Sequence, residues 1–92
     1  RFDAKAGGSR MMIINCIASG NGLTQNEPGI RVAGVPDFTI IGTTANDNGS
    51  HGFYVRRSSD GLIRDNSAIG NGGSDYQIEN SSNIDASNNA GW

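Results

Sequence analysis

The sequence contains one histidine, His51, three residues before Tyr54. An imidazole and a phenol that reach the same carbon can serve as base and acid in proton transfer. Asp37 and Asp60 form a second pairing, because they occupy equivalent places 23 residues apart. On neighbouring strands they would lie about 5 Å apart, at the short end of the roughly 5–9.5 Å used by carboxylate pairs in glycoside hydrolysis. Both also follow a strand in turn sequence, where aspartate caps turns, so turn stabilisation is the competing role. Asp75 and Glu79 sit four residues apart on one extended segment, about 13 Å at strand rise, too far for either carboxylate geometry.

These residues do not assemble a metal centre. One histidine and one cysteine fall short of a nitrogen–sulfur ligand set. Asp47, Asp60 and Asp65 are spread over different turns, and Gly72-Gly73-Ser74-Asp75 does not match the calcium-binding glycine-rich nonapeptide. Cys16 has no second cysteine with which to form a disulfide. It reads as a member of a turn column, not as a nucleophile.

What positions the candidates is a repeat. Gly29-Ile30-Arg31-Val32, Gly52-Phe53-Tyr54-Val55 and Asp75-Tyr76-Gln77-Ile78 superimpose at 23-residue steps. Ile40–Thr43, Ile63–Asn66 and Ala86–Asn89 follow the same step, and Ile13–Cys16 joins them at an offset of 27. The four extra residues fall between Leu23 and Pro28. A third family is Ala18–Gly22, Ala45–Gly49 and Ala68–Gly72. Each coil thus has three extended pieces divided by Gly, Asn, Asp and Ser turns.

Within a piece the alternation has period two, with Ile30 and Val32 on one side and Arg31 on the other, which is strand behaviour. Parallel strands usually need a long helical crossover. No window here has helical spacing, so the chain must wind and pair each coil with the next. Ile30, Phe53 and Tyr76 form one inward stack, Val32, Val55 and Ile78 a second, and Ile13, Ile40 and Ile63 a third. Asn21, Asn48 and Asn71 recur at one turn, where asparagine tolerates left-handed backbone angles and its amide bonds neighbouring groups. Cys16, Thr43, Asn66 and Asn89 make a second small, polar column.

The expected fold is all-β: a parallel β-helix (solenoid) of about four coils of 23 residues. It comprises a partial coil 1–9, repeats 10–36, 37–59 and 60–82, and a partial coil 83–92. Right-handed winding follows the general crossover rule. The chain opens on Arg1 and stops at Trp92 in mid-coil. It therefore reads as a segment of a longer β-helix, or as one docked on another chain or in a homo-oligomer. Trp92 either covers the last inward stack or stands exposed.

Composition agrees with a solenoid. Glycine is 14 of 92 residues and apolar residues are 35%, thin for one compact core at this size. Seven basic and nine acidic residues give a net charge of −2. That argues against a nucleic-acid or membrane-surface partner, which would want a basic excess. No run approaches the roughly 20 apolar residues of a membrane span.

The pattern Ile-x-x-Asn, Asn-Gly and Gly-Phe-x-Val is carried by Ile63-Arg64-Asp65-Asn66, Asn48-Gly49 and Gly52-Phe53-Tyr54-Val55. It resembles right-handed parallel β-helix proteins of the pectate-lyase-like superfamily, over nearly the whole chain. Such coils occur in polysaccharide lyases, alginate epimerases, polygalacturonase-type hydrolases and phage tailspikes. The resemblance implies a polysaccharide partner lying along the outer face of one sheet, and an extracellular or virion-surface location. Calcium is implied by the resemblance alone. The Asp-Pro-His motif of alginate epimerases is absent, and the motif residues present are structural, so they do not transfer an activity.

The outer face of the first sheet is then the place to look. It projects Gly29, Arg31 and Ala33, then Gly52, Tyr54 and Arg56, then Asp75, Gln77 and Glu79. An aromatic ring with guanidiniums, an amide and carboxylates suits a sugar polymer. The plainer reading is a solvated face with one Arg56–Glu79 ion pair. The substrate-binding candidates are Arg31, Tyr54, Arg56, Asp75, Gln77 and Glu79; His51, Tyr54, Asp37 and Asp60 are the catalytic ones. The leading function is a carbohydrate-active segment of lyase, epimerase or glycosidase type. The alternative is a non-catalytic structural or receptor-contact solenoid, such as part of a phage tail appendage. A protein-interaction solenoid would need exposed apolar patches, which the outward columns do not suggest.

Overall fold

A computed structural model describes residues 2–4 as backbone, together with residues 10–21 and 27–92. Two parallel four-stranded sheets face each other across a narrow core. The first contains β1 (Phe2–Ala4), β3 (Ile30–Ala33), β5 (Phe53–Arg56) and β7 (Tyr76–Glu79). The second contains β2 (Met11–Ile14), β4 (Pro36–Ile41), β6 (Ser59–Arg64) and β8 (Ser82–Ser87). Successive strands alternate between the sheets, so the chain winds about three turns from first rung to last. The described residues contain no helix, and so none long and apolar enough to cross a membrane.

The register confirms the repeat. Ile30 pairs with Phe53 and Phe53 with Tyr76, each a step of 23, while Met11 pairs with Phe38 across a step of 27. The four-residue excess is real, but residues 22–26, where most of it was placed, lie outside the described residues. The third piece of each coil is shorter than expected. It is a single bridge per coil, Ile17–Thr44–Ser67–Ala90, because the chain turns again at once into Gly20, Asp47 and Gly70, all at positive φ. The second-sheet strands also begin earlier than the Ile-x-x-Asn family and end before its asparagine. That asparagine belongs to a corner.

Corners are made by stacked left-handed residues. Gly34, Arg57 and Asn80 form one such column. Arg10, Asp37, Asp60 and Asn83 form another, and Asn15, Gly42, Asp65 and Asn88 a third. Side-chain oxygens from the next coil then satisfy the corner amides. Asn48 Oδ1 accepts from Asn21 N at 3.0 Å, and Asn71 Oδ1 accepts from Asn48 N at 2.9 Å. Thr43 N donates to Asn66 Oδ1 at 2.9 Å and Asn66 N to Asn89 Oδ1 at 3.1 Å. A third ladder was not evident from the repeat families: Val35 N donates to Ser58 Oγ and Ser58 N to Ser81 Oγ, both at 3.1 Å.

The core lies between the sheets. Ile30, Val32, Phe53 and Val55 meet Ile13, Phe38, Ile40 and Ile63, each at most 3% exposed. Phe38 fills the space above Gly61, its partner on β6, where a Cβ would overlap the ring. At the last coil Tyr76 stacks on Phe53 at 4.9 Å with planes 2° apart. Trp92 tilts across Tyr76 at 4.9 Å while staying 58% exposed; it both covers the stack and meets solvent.

Gly61→Ala is expected to cost about 1–3 kcal/mol through overpacking, read by urea unfolding. Phe38→Leu in the same chain should recover part of that loss, and strictly additive costs would show that the two residues do not share this space. Burial, and then the Asp75 carboxylate, push the Tyr76 phenol from 10.0 up to about 12. The folded value lies above the unfolded one, so this stabilisation is complete below pH 10 and disappears as pH rises through 12. Thermal melts should show that alkaline loss in the native chain and a smaller one in Tyr76→Phe.

Candidate functional site

The outer face of the first sheet is set by strand alternation. Arg31, Tyr54 and Gln77 form one cross-strand row, and Ala33, Arg56 and Glu79 the next. All six are half-buried, as expected for side chains lying on a pleated surface. Tyr54 Oη donates to Glu79 Oε1 at 3.3 Å, and Gln77 Nε2 donates to Glu79 Oε2 at 3.3 Å. Both oxygens of that carboxylate are therefore engaged. His51 lies beside Tyr54, ring centroids 5.1 Å apart and planes at 51°. Its Nδ1 lies 3.0 Å from the backbone N of Ser74. The same nitrogen lies 3.2 Å from Ser74 O, so it accepts or donates according to the ring tautomer, and either bond holds the imidazole against the next coil.

The strip thus brings together Arg31, His51, Tyr54, Arg56, Gln77 and Glu79. The anticipated Arg56–Glu79 ion pair does not form, although the two are register partners. Ion pairs between described residues are Arg10–Asp37 and Arg64–Asp65, both at 3.7 Å and both elsewhere. Arg31 Nε is buried and has no hydrogen-bond partner among the described residues.

Asp75 does not join them. The column Gly29–Gly52–Asp75 borders the asparagine corner instead of the outer face. A Cβ on Gly29 would meet the Asn48 amide at 2.6 Å, and one on Gly52 the Asn71 amide at 2.7 Å. Asp75 Oδ1 accepts from Asn71 Nδ2 at 2.8 Å and Asn71 N at 3.3 Å. Those are the two bonds that Asn71 Oδ1 itself receives from Asn48. The carboxylate takes the place that an asparagine one coil further on would fill.

Asp37 and Asp60 are stacked as expected, but on a corner of the second sheet, away from His51 and Tyr54. Arg10 pairs with Asp37 on one side, and Asn83 Nδ2 donates to Asp60 Oδ1 at 3.0 Å on the other. Their φ values of 60° and 55° give a backbone reason for aspartate there. Asp47, Asp60 and Asp65 occupy three separate corner columns. Among the described residues no three His, Cys, Asp or Glu side chains converge on one point. Cys16 sits in its turn column, its N–H donating to Thr43 Oγ1 at 3.4 Å.

The second sheet departs from one expectation. Its outer face opens with Met12 at 63% and Ile14 at 45% exposure. Beside them in register stand Thr39 and Ile41, then Leu62 and Arg64. The apolar strip was missed because outward columns were read only on the first sheet. Ser58 and Ser81 could have been found by carrying the 23-residue comparison one position past each strand.

Stacked parallel strands, corner ladders and a mixed polar outer strip define a β-solenoid. Residues 4–90 match the family described as right handed beta helix region, and the chain belongs to that family. No curated protein and no solved structure matches the chain.

Asp75→Ala should leave two Asn71 donors without an acceptor and cost about 1–2 kcal/mol. Asp75→Asn keeps an oxygen in place and should cost less. Denaturant midpoints for both decide it, and equal losses would remove the ladder role.

Proposed function

We propose that this β-helix segment engages a polysaccharide along the outer face of β3, β5 and β7, as in proteins of the pectate-lyase-like kind. The observation that carries the reading is Tyr54. Its ring lies mid-strip beside His51, and its hydroxyl is anchored by Glu79. Arg31 lies on the neighbouring strand, and neither Arg31 nor Arg56 is ion-paired with a described residue. A pre-positioned aromatic with guanidiniums around it presents a stacking surface and hydrogen-bond donors along one line, as an extended sugar chain requires. Lyase or epimerase chemistry at this strip would use Tyr54 and His51 as the acid and base at one sugar carbon, with the hydrogen bond to Glu79 holding the phenol in place. A glycosidase pair at Asp37 and Asp60 would need a separate site on the other sheet. An extracellular or virion-surface setting accompanies this proposal.

A second reading is favoured by Met12 and Ile14. Their exposure on the second sheet suits a contact solenoid, such as a phage appendage, packed against another protein chain.

Tyr54→Ala should weaken binding to the best ligand of a polysaccharide panel roughly tenfold, about 1.4 kcal/mol. Circular dichroism should be unchanged, since the side chain points outward. Native protein that neither binds nor depolymerises any member of the panel would sink the polysaccharide reading and leave the contact reading standing.

A further inference from the structure

Asparagine followed by glycine readily loses its side-chain amide, because glycine leaves the next backbone nitrogen unhindered. The chain has three such pairs, Asn21-Gly22, Asn48-Gly49 and Asn71-Gly72, all in one corner column. Gly22 lies outside the described residues. In the other two pairs the glycine N–H is bonded to the preceding coil, Gly49 N to Asn21 O and Gly72 N to Asn48 O, both at 2.8 Å.

The difference lies in the amides. Asn48 is 2% exposed. Its Oδ1 accepts from Asn21 N and Nδ2, and its Nδ2 donates to Ala18 O at 3.0 Å and Asn71 Oδ1 at 2.9 Å. Coils on both sides therefore hold it. Asn71 is half-buried, and its Nδ2 donates to Ala45 O at 2.9 Å and Asp75 Oδ1 at 2.8 Å. The second hold comes from its own coil, across Gly72, Gly73 and Ser74, all exposed.

We propose that Asn71 is a self-modification site, where spontaneous deamidation restrained by Asp75 releases the start of β7. Gly72 N gives up its proton to hydroxide and attacks Asn71 Cγ. The Cγ–Nδ2 bond breaks, ammonia leaves with a proton from water, and a cyclic imide remains. Water opens that ring at either carbonyl, leaving aspartate or isoaspartate. An oxygen then replaces the Nδ2 donor, facing Ala45 O and the Asp75 carboxylate with no proton to share. Two carboxylates at hydrogen-bond distance repel. Asp75 also ties β7 to β5, its O accepting from Phe53 N at 2.9 Å, so the repulsion falls where β7 begins. This is independent of what the outer strip binds.

The test incubates the 92-residue chain in mildly alkaline buffer, folded and in urea, and locates deamidation by peptide mass spectrometry. In the folded chain Asn71 should convert at least tenfold faster than Asn48, and in urea the two rates should converge. Asp75→Ala should speed Asn71 roughly tenfold by removing a charged acceptor, with Asp75→Asn in between. Asn71→Asp, standing in for the product, should lower the thermal midpoint by roughly 5 °C or more. It should also raise hydrogen exchange in β7 but not in β4. Asn71→Asp with Asp75→Asn, which removes one charge and supplies a donor, should recover part of that loss. Equal rates at Asn48 and Asn71 in the folded chain, or an Asn71→Asp chain that melts like the native one, would overturn the proposal. A loss that the double variant does not recover overturns the charge-driven release.

Discussion

Every coil of this protein must turn its backbone sharply between short strands, and at those corners the regular parallel hydrogen bonds lapse. A buried N–H without an acceptor costs about 1–3 kcal/mol, and each coil has several. The chain answers with side chains. An oxygen from the next coil accepts the corner N–H, as Asn66 does for Thr43 and Ser58 does for Val35. This reaches one step along the axis, so it works only if the same residue type recurs at a fixed interval. The 23-residue period, the asparagines and the left-handed corners are consequences of that one requirement.

The ladders also decide which positions are left for function. Inward positions are taken by the core, and corners by Asn, Ser, Asp and Gly. Outward strand positions remain free to carry varied chemistry, and there the first sheet collects Arg31, Tyr54, Arg56, Gln77 and Glu79. The boundary is not clean. Asp75 is drawn into the asparagine ladder, and His51 gives one ring nitrogen to the next coil while keeping its face beside Tyr54. Arg57 runs the other way, a long charged side chain at a left-handed corner whose counterparts are Gly34 and Asn80.

Much of the fold was legible because a solenoid writes its three-dimensional contacts into one-dimensional spacing. Residues 23 apart touch, so Phe53 over Ile30 and Asn71 beside Asn48 could be read without coordinates. Legibility ended where direction mattered. Asp75 sits in a strand-like alternation that points it outward, yet it lies at the strand's edge, where the backbone has not settled into the pleat. Arg56 and Glu79 are register partners, but Glu79 bonds Tyr54 and Gln77 instead, since hydroxyl and amide donors lie within its reach on both sides. Phe38 and Gly61 seemed unrelated by type, although their opposite sizes are what let them share one space.

The sequence by itself determined the winding, the period, the inward stacks and two of the three corner ladders, because each of these depends on residue type recurring at a fixed interval. Only the tertiary structure decided which polar side chains bond one another, which partner Glu79 takes and which outer face is apolar. Those outcomes depend on rotamers and distances of a few ångströms between strands, and repetition in sequence does not encode them.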